Sequence, residues 1–127
     1  MGFWLYMLLC NLLIPAIMVI FGLRFRKKAP DRINRVFGYR TERSMKNRET
    51  WEFAHHYCGK FFVRFGFAAL AVSVIGMLLL LGKDTDTVGT WSLAVTALDL
   101  VLLVIPIVLT ERALRRNFDK YGRKLTP

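Results

Sequence analysis

The chain has 127 residues, is 54% hydrophobic and carries a net charge of +10, with a mean hydropathy of +0.36. That length fits one domain, and apolar content on this scale excludes an ordinary soluble fold. The positive charge is what membrane topology and anionic headgroups require of short loops, so it does not argue for direct nucleic-acid binding.

The first predicted element spans residues 3–23. Gly2 to Leu23 carry no charge over 22 positions, about 33 Å of helix against a hydrocarbon core of about 30 Å. A cleaved signal peptide is disfavoured because Lys and Arg are absent before Arg24 and no small-x-small site follows the apolar run. Tyr6 stands where a myristoylation motif wants Ser or Thr. Pro15 is expected to bend this helix and release a backbone carbonyl.

Residues 24–60 form a basic loop. Arg24, Arg26, Lys27 and Lys28 close the first span, and Pro30 ends its helix. Asp31 to Thr41 has no sustained period and reads as a structured loop. Gly38 permits φ > 0 or close backbone approach, Arg40 offers a planar fork to carboxylate or phosphate, and Thr41 adds a hydroxyl. Two readings stand side by side: an anion site, or a tie between Arg40 and Glu111 at the end of the third span. Ser44 is expected to cap a helix in which Trp51, Ala54, Cys58 and Phe61/Phe62 recur on one face, with Arg48, Glu49, Glu52 and His56 opposite. Such a helix lies in the headgroup layer, with Trp51 and Tyr57 as anchors, and runs on towards the second span; Gly59 and Gly66 permit a bend.

The pattern N-R-x-x-G-Y-R-T-x-x-S, carried by Asn34, Arg35, Gly38, Tyr39, Arg40, Thr41 and Ser44 and followed by Trp51, Ala54 and Gly59, resembles the SdpI family. The resemblance implies a small multi-pass protein of the bacterial cell membrane. The family is named for a member that protects a producing cell from its own secreted killing peptide and sequesters a cytoplasmic repressor at the membrane. It therefore implies an immunity and signalling role, with an antimicrobial peptide toxin and a cytoplasmic repressor as partners.

The second span covers residues 61–82, where Arg64 can snorkel to the headgroups. Its small residues Gly66, Ala69, Ser73 and Gly76 offer a face for close packing, within the bundle or in a homodimer. A third span covers residues 91–111 and contains Pro106. Asp99 lies about 12 Å along it, where a carboxyl must be paired, protonated or turned to a cavity. It is either a ligand- or proton-responsive group, or a protonated acid bonded to Asn11, Ser73 or Thr96. A tail, 112–127, completes the single membrane domain, 1–127.

Of the 19 Lys and Arg residues, 12 lie between Arg24 and Arg64, one is Lys83 and six follow Thr110. Basic loops stay inside, so the N-terminus is expected outside and the C-terminus in the cytoplasm. Cys10 and Cys58 have no C-x-x-C spacing, and His55 and His56 point about 100° apart on a helix, so no metal is expected. No cofactor motif and no Ser-His-Asp, Cys-His or paired-carboxylate arrangement emerges, and no enzymatic activity is expected.

The expected fold is thus an all-α membrane protein with three transmembrane helices plus an interfacial amphipathic helix between helices one and two. The residues expected to bind a ligand or partner are Asn34, Arg35, Gly38, Tyr39, Arg40, Thr41, Ser44, Trp51, Asp99 and Glu111. Two functions from different classes follow: a non-enzymatic immunity or signal receptor, or a lipid-handling or transport component whose basic loop holds an anionic headgroup of the membrane lipids.

Overall fold

A computed structural model of the chain describes residues 2–31, 33 and 38–125. Among these residues three helices follow one another: α1 (Gly2–Phe25), α2 (Arg48–Leu79) and α3 (Thr85–Asn117). All three are long and apolar enough to cross a membrane, which makes this a multi-pass membrane protein. At 1.5 Å per residue α2 and α3 are about 48 and 50 Å long, so each overshoots a hydrocarbon core of about 30 Å by several turns. The surplus in α2 and α3 carries Arg48, Lys60, Arg115 and Arg116, and with the loop after α1 it forms the basic end of the bundle.

The surface of the spans is apolar. Leu9, Leu13 and Ile20 on α1, Ile75 and Leu79 on α2, and Leu93 and Val101 on α3 are exposed, the distribution that suits lipid rather than water. Apolar clusters occupy the two ends of the interior. At the basic end Tyr39, Ala54, Cys58, Leu114 and Phe118 pack together; at the other, Met77, Leu80 and Val88 meet Trp4, Met7 and Leu8. Between them the interior buries polar groups, Asn11, Ser73 and Asp99, alongside Pro15, Met18 and Ala69.

Glycine sets the approach of α1 to α2. A β-carbon on Gly22 would sit 2.8 Å from the amide nitrogen of Val63, and one on Gly66 would sit 2.8 Å from Cγ2 of Val19. Gly59 meets the backbone of Phe25 and Arg26 in the same way. Without a hydrophobic drive inside lipid, such close backbone contact is what holds two helices together. The small-residue face of α2 is therefore spent inside the bundle: Gly66, Ala69 and Ser73 are buried, and Gly76 abuts Val95 of α3.

Two expectations are corrected here. Among the described residues there is no separate interfacial helix, because α2 runs unbroken from Arg48 to Leu79. Trp51, Ala54 and Cys58, whose spacing suggested a lipid-facing stripe, are buried against protein. Nor is Ser44 the cap. Asn47 Oδ1 accepts from the Thr50 amide at 2.9 Å while the Asn47 amide donates to Thr50 Oγ1 at 3.1 Å, a reciprocal capping box. Asn47 also donates through Nδ2 to the carbonyl of Gly122 at 2.7 Å, docking the turn that follows α3 onto the start of α2.

Candidate functional site

The loop between α1 and α2 is built into the basic end of the bundle by a small set of buried bonds. Pro30 lacks an amide hydrogen but offers its carbonyl, which accepts from Trp51 Nε1 at 2.9 Å and from Arg48 Nη1 at 3.1 Å. The indole of Trp51, fully buried, thus pins the loop after α1 instead of anchoring in the headgroups. Gly38 then takes φ +104°, left-handed backbone that favours glycine. A β-carbon there would also collide with Nε2 of His55.

That turn aims the backbone of Tyr39 at His55. The Tyr39 amide donates to His55 Nε2 at 2.8 Å, and His55 Nδ1 lies 2.8 Å from the carbonyl of Trp51, one helical turn earlier. Both bonds are made at once only by the neutral imidazole with its hydrogen on Nδ1. The ring is fully buried against Trp51 at 4.2 Å and edge-on to Phe25 at 4.9 Å. His55 is thus a backbone acceptor holding the loop. Its place four residues after Trp51 was the legible signal for the Nδ1 bond; the Tyr39 amide, far along the chain, gave none.

The side chain of Tyr39 reaches the third helix. Its hydroxyl donates to Glu111 Oε1 at 2.7 Å and lies 3.2 Å from the carbonyl of Ile107. Burial, reinforced by the Glu111 carboxylate that accepts its hydrogen, pushes the phenol above its ordinary range, so it remains a donor. The expected partner of Glu111 was Arg40. Among the described residues the ion pairs do not include that one; Arg40 is exposed and its Nε donates to the carbonyl of Gly38 at 3.3 Å. Phenol and carboxylate meet because Tyr39 is buried against α3 whereas its neighbour Arg40 is exposed.

Thr41 and Ser44 close the loop. The Thr41 amide donates to Ser44 Oγ at 2.9 Å, the Ser44 amide to Thr41 Oγ1 at 3.2 Å, and Ser44 Oγ lies 3.0 Å from the carbonyl of Tyr39. Ser44, fully buried, organises the turn ahead of the Asn47 cap. Asn34 and Arg35 lie outside the described residues.

Beside this latch is a cavity of about 400 Å³ lined by Phe21, Phe25, Cys58, Phe62 and Ile107 from the three helices and by Gly38, Tyr39, Arg40 and Thr41 from the loop. Its walls are aromatic and aliphatic; its rim holds a guanidinium and a hydroxyl. That combination suits an amphiphile with an apolar body and an anionic or hydrogen-bonding head.

Asp99 stands apart from this site. It lies eight residues before Ile107 on α3, about 12 Å along the axis. The carboxyl is fully buried, with Oδ2 2.6 Å from Ser73 Oγ. Ser73 Oγ is in turn 2.9 Å from the carbonyl of Asn11, the carbonyl four residues before Pro15 that proline leaves without its helical donor. Thr96 bonds to Asn11, with Oγ1 2.6 Å from Asn11 Oδ1.

Residues 31–110, which hold Tyr39, Thr41, Ser44 and His55, all of α2 and most of α3 but neither α1 nor Glu111, match the model of the SdpI/YfhL protein family. The chain is also 33% identical over 116 residues to "Uncharacterized protein YfhL" of Bacillus subtilis (strain 168), an alignment covering 84% of this chain and 92% of that protein. No solved structure matches it.

Proposed function

The chain belongs to the SdpI/YfhL family, and from that premise we propose that it is a non-enzymatic membrane receptor of the SdpI type. In this reading it gives resistance to a secreted membrane-active peptide and relays its occupied state to a cytoplasmic regulator. The basic loop and the turn after α3 face the cytoplasm, as their Lys and Arg content demands, and the N-terminus lies outside. One observation carries the reading: the loop is latched to α2 through the Tyr39 amide and to α3 through the Tyr39 hydroxyl, beside a cavity that borders on all three helices. An apolar guest pressing on Tyr39 would disturb both bonds together, changing what Arg40 and Thr41 present on the inner surface. The test is protection. Expression in peptide-sensitive cells should raise the lethal dose, and Arg40→Ala, at an exposed position, should abolish the effect at unchanged protein level. Unaltered sensitivity of cells expressing the native chain would reject the reading.

A second reading rests on the cavity's chemistry. Arg40 and Thr41 rim a pocket otherwise walled by Phe21, Phe25, Phe62 and Ile107, an arrangement that fits an anionic lipid with its headgroup at the rim. Phospholipid retained through purification and lost on Arg40→Ala would favour this lipid-handling role.

A further inference from the structure

The polar centre of the bundle has more oxygen lone pairs than hydrogens to fill them. Ser73 Oγ faces two acceptors, the carbonyl of Asn11 at 2.9 Å and Asp99 Oδ2 at 2.6 Å, but owns one hydrogen. Thr96 Oγ1 is in the same position, 2.6 Å from Asn11 Oδ1 and 3.0 Å from the carbonyl of Ser92. Asp99 Oδ1 is the buried side-chain polar atom without a partner among the described residues. The side-chain amide of Asn11 does not reach the carboxyl either: its Nδ2 donates to the carbonyl of Met7 at 2.9 Å and lies 3.9 Å from Sδ of Met77. What converges from α1, α2 and α3 is therefore a chain of oxygens, Asp99 to Ser73 to the Asn11 carbonyl, with Asn11 Oδ1 and Thr96 beside it, that ends on one carboxyl group.

Among the described residues no fixed cation is placed to balance that carboxyl. The residues of α1 buried towards the bundle are Asn11, Pro15, Met18, Gly22 and Phe25, none of them charged. On α2 the nearest charged residue to Ser73 is Arg64, about 13 Å away along the axis and exposed. On α3 the nearest are Asp86, about 20 Å before Asp99, and Glu111, about 18 Å after it. An ionised Asp99 with a single shared hydroxyl hydrogen would be a buried, uncompensated charge. A neutral one fits the hydrogen count: the acid donates from Oδ2 to Ser73, and Ser73 donates to Asn11.

We propose that this cluster is a monovalent-cation site in which a proton and Na⁺ compete for Asp99. One carboxylate matches one positive charge, and hydroxyl, amide and backbone oxygens are the donors a hard cation takes. The exchange balances as carboxylic acid plus Na⁺ giving sodium carboxylate plus a released proton, and the interior is neutral on both sides. Ser73 and Thr96 rotate their hydroxyls to present lone pairs when Na⁺ enters, and the Asn11 carbonyl, left open by Pro15, becomes a ligand. The site is independent of the loop and cavity at the basic end.

Infrared spectroscopy of the full chain in lipid nanodiscs tests this directly. In sodium-free choline chloride at neutral pH, a protonated carboxyl C=O band should be present that moves on [¹³C]aspartate labelling; titration with NaCl should remove it, with proton release. Ser73→Ala and Thr96→Val should each raise the NaCl concentration needed by at least about tenfold, the equivalent of one lost ligand. Asp99→Asn should lack both band and sodium response while keeping its helical circular dichroism; should that variant not fold, isotope labelling still assigns the band to an aspartate, and of the five in the chain Asp99 is the buried one. A band indifferent to NaCl would overturn the proposal and leave Asp99 a structural acid, and so would the absence of any such band without sodium.

Discussion

Tyr39 and Glu111 are joined by a 2.7 Å hydrogen bond between residues 72 positions apart in the chain. It is the point at which the loop after α1 takes hold of α3, as the Tyr39 amide takes hold of α2 through His55.

Tyr39→Phe removes one hydroxyl and leaves a partly buried carboxylate without its donor. The expected loss is about 1–3 kcal/mol of stability, the cost of an unsatisfied charged acceptor. Glu111→Gln keeps an acceptor and should cost less. In the double variant the two effects should be non-additive by more than about 0.5 kcal/mol, read from unfolding in detergent.

Arg40 and Glu111 should not behave as an ion pair. Because Glu111 accepts from Tyr39 and Arg40 is exposed, Arg40→Glu combined with Glu111→Arg should not restore folded yield. Recovery by the double reversal to the native level would show that guanidinium and carboxylate do meet.

Gly38→Ala faces both left-handed backbone and the His55 ring. It should cost about 1–3 kcal/mol. Gly82 also has positive φ, 82°, but a β-carbon there meets nothing within 4 Å, so Gly82→Ala should cost less, about 1 kcal/mol. Equal unfolding midpoints for the two variants would deny that His55 is in contact with the turn.

The α1–α2 seam should be intolerant of bulk. Gly59→Leu and Gly66→Leu push a side chain into α1 backbone and into Val19, and folded yield in detergent should fall several-fold as overpacking forces the helices apart. Ile75→Leu, on an exposed apolar position, should leave yield unchanged.

Much of the architecture was readable because charge is so costly in hydrocarbon: 22 uncharged positions from Gly2 to Leu23 leave few alternatives to a span. Gly38 was readable as a special backbone position for the same kind of reason, since few residues other than glycine take such a turn. The stripe from Trp51 to Phe62 misled because hydropathy reports that a face avoids water, and lipid and protein interior are equally apolar. Trp51 lies against protein since its indole finds the carbonyl of Pro30, a partner that no local pattern announces. The helix cap went to Asn47 and not Ser44 because Thr50 could reciprocate at the N3 position.

By itself the sequence determined that this is a three-span membrane protein with a basic end, a motif-bearing loop and one intramembrane acid, since solvation energies depend only on composition along the chain. Only the tertiary structure decided who partners whom: Tyr39 rather than Arg40 on Glu111, His55 as acceptor for the loop, and Ser73 with the carbonyl released by Pro15 beside Asp99. Hydrogen bonds demand distances near 3 Å and set directions, and those are properties of how three helices cross, which no spacing within one helix contains.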